Sequence, residues 1–311
     1  MLPFPLNPNP DPPTIAVLGT GRMGAPLARN LLAAGFRVIV WNRTESRAAA
    51  LVGGGATLAS SPLIAATDAD VVLTMLTDGA ATADTVDGDD GAASALRPGS
   101  IWIQMGTVGV TWTQRLAELA ASHEIEFVDA PVSGSTGPAQ EGELVILASG
   151  PENTRPRVQP IFDAIGRHTY WLGRAGNGTR MKVVLNNWLA ASTEALAETL
   201  SLNDALGLDP DEFIDLFADN AMASPYAVAK GRAMVAGDFA PGFPLQHAFK
   251  DTALALAAAK DVGLELPLTE AVEGRWRGAI ARGHGDEDLA AIITEATRRH
   301  VADAARISGI S

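Results

Sequence analysis

The chain of 311 residues contains no cysteine. That absence excludes disulfide bridges, thiolate metal sites and a cysteine nucleophile. Histidine is sparse as well: His123, His168, His247, His284 and His300 lie far apart, and none belongs to an H-E-x-x-H pair. Scattered histidines are ordinarily packed or surface residues, so a metal enzyme is disfavoured and no metal ligand is assigned. Basic side chains are outnumbered, 23 Lys and Arg against 36 Asp and Glu, for a formal charge of -13. Nucleic acid and anionic membrane both call for a basic surface, so neither is an expected partner. The balance leaves room for a local basic pocket around one phosphorylated ligand. No stretch reaches the roughly 18 to 20 uninterrupted apolar residues that span a bilayer. Met1 to Pro13 carries six prolines and no positive charge. It reads as an extended or disordered tail rather than a secretory signal, and a cytoplasmic protein is expected.

What is present is ordinary for a soluble globular protein, 47% hydrophobic and 19% charged, with length enough for two domains. From Thr14 the pattern changes abruptly. Thr14 to Leu18 is a short apolar run, followed by a glycine-rich turn and a helical stretch from Ala25 to Ala34. Gly35 ends that helix and Phe36 to Trp41 supplies a second β-rich run. Similar runs recur at Ala69 to Leu76, Ser100 to Met105, Ile125 to Val128, Glu143 to Ser149 and His168 to Leu172. Ala-rich helical segments separate most of them. Such alternation predicts parallel strands with crossover helices, an α/β fold with a Rossmann-type doubly wound sheet.

After Gly173 the strands stop. Asn177 to Leu206 reads as one long helix without proline, closed by Gly207. Asp209 to Ala218, Ser224 to Val235, Leu245 to Val262, Leu268 to Arg282 and Asp286 to Ala305 also read as helices. Asp209-Pro210 and Ser224-Pro225 each place a capping side chain before a proline at the first helical position. The expected division is a tail at 1–13, a dinucleotide-binding domain at 14–175, and an all-α domain at 176–311 with 176–206 as the interdomain helix. No internal repeat is visible.

Gly19-Thr20-Gly21-Arg22-Met23-Gly24 is a G-x-G-x-x-G motif. Alone it would be weak in a chain with 31 glycines. Here a strand precedes it, a helix follows, and a second strand begins at Phe36. The glycines permit a tight turn and let backbone amides approach a pyrophosphate at the helix N-terminus. NAD enzymes usually place Asp or Glu at the end of the second strand, on the ribose 2′-hydroxyl. Asn42-Arg43-Thr44 stands there instead. Asn and Thr can hydrogen-bond a 2′-phosphate and Arg43 adds charge and a planar fork of donors, which favours NADP over NAD.

Three later segments carry chemical potential. Asp129-Ala130-Pro131-Val132-Ser133-Gly134-Ser135 follows a strand with a turn of small polar residues, suited to a carboxylate or simply a polar loop. Lys182 and Asn186 share one face of the long helix, and Thr193 falls near it. Between Met181 and Val183, Lys182 could be partly desolvated, which would lower its pKa toward a useful range; the plain alternative is a surface lysine. Lys250-Asp251, after Phe243, reads in isolation as an exposed charged pair.

In this order and spacing, G-x-G-x-M-G, D-A-P-V-S-G, G-x-G-x-x-x-K-x-x-N and K-D resemble the β-hydroxyacid dehydrogenase (3-hydroxyisobutyrate dehydrogenase-like) family, relatives of 6-phosphogluconate dehydrogenase. The resemblance covers nearly all of the chain after Pro13. It implies an oxidoreductase with the nicotinamide cofactor on the α/β domain and a small carboxylate substrate against the helical domain. Lys182 takes the catalytic lysine role and Asn186 assists in placing the substrate. Ser133 and Gly134 hold the substrate carboxylate, with Ser135 beside them. Thr107 contacts the nicotinamide ribose, Leu76 lines the cofactor groove, and Phe243 and Lys250 close from the helical side. A homodimer or homotetramer is also implied. Two positions depart from the pattern: Ser135 replaces the second glycine of S-G-G, and Gln104-Met105-Gly106-Thr107 replaces an Asp-x-Ser-Thr-like run. Asn42-Arg43-Thr44 resembles the NADPH-using glyoxylate and succinic semialdehyde reductase branch. Two rivals share the architecture. Imine reductases usually carry Asp or Tyr where this chain has Lys182. A non-catalytic NADP-binding module would be expected to lose the lysine.

Overall fold

The structure is a computed structural model and describes residues 12–296. All but the last two residues of the expected tail, and the part of the last expected helix beyond Ala296, lie outside the described residues. Those described fall into two compact units divided between Val184 and Leu185.

The first unit is built on a six-stranded parallel sheet in the order β3-β2-β1-β4-β5-β6. Its strands are β1 (Thr14–Leu18), β2 (Arg37–Trp41), β3 (Thr57–Leu58), β4 (Val71–Thr74), β5 (Ile101–Gln104) and β6 (Glu126–Asp129). β1 is buried along its whole length. Ile15 and Val17 pack with Leu27, Leu31 and Phe162 on one face, while Ala16 and Leu18 pack with Val86, Trp102, Leu116 and Phe127 on the other. Covered on both faces, the strand needs a continuous apolar run rather than an alternating one. Trp102 meets Phe127 edge-on, ring centroids 5.0 Å apart. The helix after the glycine-rich turn spans Gly24–Ala33.

The Rossmann-type doubly wound sheet is present as expected, and the runs at Glu143 to Ser149 and His168 to Leu172 stand outside it. β7 (Val132–Ser133), β8 (Leu144–Ala148) and β9 (Gly166–Trp171) form a second sheet, with β7 antiparallel and β9 parallel to β8. The chain runs on from β6 through Ala130-Pro131, where proline has no N–H to extend a ladder, into β7, and reverses only through the helix Thr136–Glu141. β8 therefore pairs with β7, and only an isolated bridge, Asp129 with Ser149, links it to β6. β3 and β7 are two residues each, too short to show any periodicity.

The long helix runs from Asn177 to Ala205, 29 residues, or about 44 Å at ~1.5 Å per residue. The expected caps are in place: the Asp209 side chain accepts from the Asp211 N–H at 2.9 Å, and Ser224 Oγ from the Ala227 N–H at 3.1 Å. They open helices Pro210–Ala218 and Pro225–Ala236, each with proline in the first turn. Helices Leu245–Asp261 and Pro267–Ala281 follow. The last expected helix is wrong at its start. His284–Asp286 and Leu289–Ile292 are 3-10 turns, and α-helix begins only at Ile293. Asp288 caps that second turn, its carboxylate accepting from Ala290 N–H, and the preceding backbone is committed to a ladder with residues 239–245.

The helical unit's core gathers Leu196, Leu200, Ile214, Met234, Leu245, Val272, Trp276 and Leu289. Glu194 lies among them, accepting from Arg275 Nε and from Trp276 Nε1, the latter at 2.8 Å. Burial pushes its carboxyl above the usual range and the Arg275 guanidinium opposes that shift.

Candidate functional site

The glycine-rich turn joins the C-terminal end of β1 to helix Gly24–Ala33. Gly19 has φ +101°, and a Cβ on it would lie 2.5 Å from the Met75 carbonyl oxygen and 2.7 Å from Leu76 Cδ2. A Cβ on Gly24 would stand 1.8 Å from the Gly19 carbonyl oxygen. These two glycines let the turn close on itself and on Leu76. Gly21 differs, for a Cβ there meets nothing within 4 Å. The turn thus presents open backbone at the start of a helix, where N–H groups lack ladder partners and the helix dipole favours an anion. A dinucleotide pyrophosphate fits this turn.

Asn42 has a more structural role than its position alone suggests. Its Oδ1 accepts from the Thr20 N–H at 3.1 Å, and its Nδ2 donates to the Thr44 carbonyl at 3.0 Å. The side chain ties the glycine-rich turn to the loop after β2, while Arg43 and Thr44 are exposed on that loop. An Asp here could accept from Thr20 but could not donate to Thr44.

At the ends of β4 and β5 a buried network shapes the segment before Thr107. Gln104 Nε2 donates to the Gly106 carbonyl, and its Oε1 accepts from the Gly106 N–H, both at 2.8 Å. Trp102 Nε1 donates to Thr74 Oγ1 at 2.9 Å. Gln104 curls over its own loop, and Thr107 follows half-buried.

Asp129, fully buried at the end of β6, anchors the long helix. Its Oδ2 accepts from the Thr179 N–H at 2.8 Å and its Oδ1 from Thr179 Oγ1 at 2.7 Å. Ser149 Oγ lies 3.1 Å from Oδ2 and accepts from the Gly178 N–H at 2.9 Å. Two first-turn N–H groups of the helix are thus capped from β6 and the end of β8 rather than from the helix's own sequence. Burial pushes the Asp129 carboxyl above its ordinary value, while the donors of Thr179 and Ser149 pull it down. Nothing in the spacing of D-A-P-V-S-G distinguished this anchor from a ligand-binding group.

Ser133 ends β7 half-buried. Gly134 is exposed at φ +133°, and a Cβ on it would come within 2.7 Å of Leu144 Cδ2. Ser135 precedes the short helix Thr136–Glu141, and its side chain makes no capping bond. Three consecutive small residues therefore run from the end of β7 to this helix.

On the long helix Lys182 is half-buried between buried Val183 and exposed Met181. The expectation of two apolar neighbours shielding it holds for Val183 alone. One turn on, Asn186 is buried, and its Nδ2 donates to Asp251 Oδ2 at 2.5 Å. Asp251 is itself 5% exposed and its Oδ1 lies 3.2 Å from Lys250 Nζ. The reading of Lys250-Asp251 as an exposed pair is therefore corrected. Asp251 turns into the helical unit because its place on helix Leu245–Asp261 faces the long helix, and Asn186 and Lys250 offset its burial. Thr193 is also committed, donating to the Leu189 carbonyl or sharing a hydrogen with Tyr226 Oη, each at 2.8 Å. Phe243 is half-buried in the segment before helix Leu245–Asp261. Among the described residues no helix is long and apolar enough to cross a membrane.

Comparison with known proteins agrees with this geometry. Residues 14–173 match the NAD binding domain of 6-phosphogluconate dehydrogenase, and residues 176–296 match the NAD-binding domain of NADP-dependent 3-hydroxyisobutyrate dehydrogenase. The chain is 35% identical to glyoxylate/succinic semialdehyde reductase 1 of Arabidopsis thaliana, over 90% of this chain and 96% of that protein. It is 34% identical to the chloroplastic reductase 2 of the same plant, over 90% of this chain and 78% of that one. Among solved structures, the 3-hydroxyisobutyrate dehydrogenase of Mycobacterium tuberculosis, solved with L-serine, superposes with a TM-score of 0.83 at 31% identity, covering 91% of this chain and 98% of that one. The chain belongs to the 3-hydroxyisobutyrate dehydrogenase-like family of β-hydroxyacid dehydrogenases, which are nicotinamide-dependent oxidoreductases.

Proposed function

We propose that the protein is an NADP-dependent reductase of small aldehyde or keto acids, working reversibly on the matching hydroxyacids, with Lys182 as general acid and base. The observation that carries this reading is the helix Asn177–Ala205. Anchored by Asp129, it presents half-buried Lys182 one turn before Asn186, and Asn186 is fixed by Asp251. The cofactor, when bound, supplies or takes up the hydride. In reduction the Lys182 ammonium gives its proton to the oxygen of the carbonyl as that oxygen gains charge; in oxidation the neutral amine removes the hydroxyl proton. With its Nδ2 spent on Asp251, Asn186 keeps its Oδ1 to accept from the lysine or the substrate hydroxyl. Ser133, Gly134 and Ser135 hold the substrate carboxylate, and Phe243 bounds the substrate from the helical unit.

Gly19, Thr20, Gly21, Arg22, Met23 and Gly24 hold the pyrophosphate. Arg43 and Thr44, on the loop braced by Asn42, take the 2′-phosphate that distinguishes NADP. Leu76 lines the groove beside Gly19, Thr107 contacts the nicotinamide ribose and Lys250 contacts the cofactor. In functional terms residues 14–175 are the dinucleotide-binding domain and 176–311 the substrate and oligomerisation domain, joined through 176–206. A cytoplasmic homodimer or homotetramer is part of this reading. Exposed Trp188, Leu206 and Leu216, between 67% and 73% accessible in the single chain, support burial against a second copy, and light scattering would give the assembly size.

The direct test is the rate of cofactor oxidation with NADPH and with NADH. Glyoxylate, succinic semialdehyde, tartronate semialdehyde and methylmalonate semialdehyde are the substrates to try, with Lys182→Ala as control. Lysine-dependent turnover with NADPH is the expected result. NADPH binding without turnover on any of the four would refute the assigned substrate class.

A further inference from the structure

The segment that carries Phe243 is held in an unusual way. Residues 239–245 have no regular secondary structure before Leu245, yet their backbone is stitched to residues 287–289. Asp288 N–H donates to the Phe239 carbonyl at 2.9 Å, Leu289 N–H to the Phe243 carbonyl at 3.0 Å, and Leu245 N–H to the Glu287 carbonyl at 2.8 Å. At the centre of this ladder sits the Asp288 carboxylate, 3% exposed. Its Oδ2 accepts from the Gly242 N–H at 3.1 Å and from the Phe243 N–H at 3.0 Å. Its Oδ1 accepts from the Ala290 N–H at 3.0 Å and from Lys230 Nζ. Lys230 reaches it from helix Pro225–Ala236, with its ammonium 6.0 Å from the centre of the Tyr226 ring. The carboxylate thus gathers three backbone N–H groups and one ammonium, and two of those N–H groups belong to Gly242 and Phe243.

A buried charge with this many donors holds its surroundings in one arrangement, because a shift of any partner leaves the carboxylate or an N–H unsatisfied. Lys230 balances the charge from a helix that carries none of the assigned site residues. Phe243 has no such device of its own, being half-buried with a side chain that can make no hydrogen bond. Its direction is set by the backbone, and the backbone is set by Asp288.

We propose that Asp288, with Lys230 as counter-ion, is a positioning residue that fixes Phe243 for substrate binding. This rests on the reading of Phe243 as a substrate-bounding residue, and the two ideas fail separately. Asp288→Asn keeps an acceptor for one or two N–H groups but turns a donor amide toward Lys230. Substrate binding then weakens while proton transfer by Lys182 does not change.

The experiment combines amide hydrogen exchange with a kinetic cycle on the full chain. Exchange at Gly242 and Phe243 should quicken at least tenfold in Asp288→Asn, while helix Pro267–Ala281 keeps its protection. With NADPH and succinic semialdehyde, KM should rise about tenfold and kcat should stay within about twofold. In a Phe243→Ala background the same substitution should no longer move KM. Lys230→Gln, which leaves the carboxylate in place, should shift KM in the same direction by less and serves if Asp288→Asn does not fold. Unchanged exchange at residues 242–243 overturns the proposal. So does a KM effect of Asp288→Asn that persists in full beside Phe243→Ala, since Asp288 would then act elsewhere. If Phe243→Ala alone leaves KM and kcat untouched, the assigned role of Phe243 is what fails.

Discussion

The two units hold their assigned residues by opposite means. In the α/β unit the dinucleotide turn is made of backbone: Gly19 and Gly24 close it and Gly21 leaves it open. In the helical unit the assigned residues are held by buried carboxylates reaching across sequence. Asn186 is fixed by Asp251, 65 residues away, and the Phe243 segment by Asp288, 45 residues on. At Gly19 and Gly24 the backbone site tolerates no added atom, whereas a carboxylate-held site tolerates no lost partner. The two should therefore break under different substitutions and lose different functions.

The largest effect is expected on the long helix. Lys182→Ala should lower turnover by ~10²–10⁴-fold, the usual worth of a positioned acid–base group, while NADPH affinity stays nearly unchanged in a fluorescence titration. An equal loss of NADPH binding would make Lys182 structural. Next in size, Gly24→Ala drives a methyl to within 1.8 Å of the Gly19 carbonyl. Overpacking of this kind costs about 1–3 kcal/mol, and affinity for NADPH and NADH should fall together. In contrast, Asp251→Ala should leave NADPH affinity closer to wild type and cut kcat, since it strands the Asn186 amide at a cost of about 1–3 kcal/mol. If both substitutions gave the same kinetic signature, the contrast between the units would collapse.

Two finer tests sharpen it. Arg43→Ala should shrink the preference for NADPH over NADH by roughly tenfold or more, the worth of a charge-assisted hydrogen bond, with kcat unchanged under saturating cofactor. The smallest effect concerns Asp129. Burial raises its carboxyl above the ordinary 3.8, so the folded chain holds that proton more tightly than the unfolded chain does. Its contribution to stability is complete below about pH 3.8 and is lost as pH rises through the raised folded value. Asp129→Asn removes this dependence. The Tm of wild type should therefore fall relative to the variant as pH climbs from that point. A Tm difference that does not vary with pH would mean that the Thr179 and Ser149 donors cancel burial, and one of opposite slope that they outweigh it.

Those same contrasts explain what could be read in advance. The glycine-rich turn, the strands around it and the capped prolines at Pro210 and Pro225 are local, and each was visible in a window of a few residues. The second sheet was not, because β7 is two residues long and its partner β8 lies beyond the helix Thr136–Glu141. Lys250-Asp251 misled for a related reason. Charge reads as exposure until a partner is known, and Asn186 is a turn of another helix rather than a neighbour in sequence. Asp129 stood inside a motif noted for carboxylate binding, yet its own carboxylate is spent on the first turn of the long helix. Asp288 was hidden in a stretch that looked helical throughout.

The boundary between the units falls inside a continuous helix, after Val184, with Lys182 on one side and Asn186 on the other. Modularity is limited by that placement. A gene fragment ending before the helix would retain the glycine-rich turn but not Lys182, the proposed acid–base residue. One ending at Val184 would retain the lysine without the amide one turn away. Exchange of helical halves between relatives, in nature or in the laboratory, would have to splice within a single α-helical turn in register, or carry the whole helix from one parent.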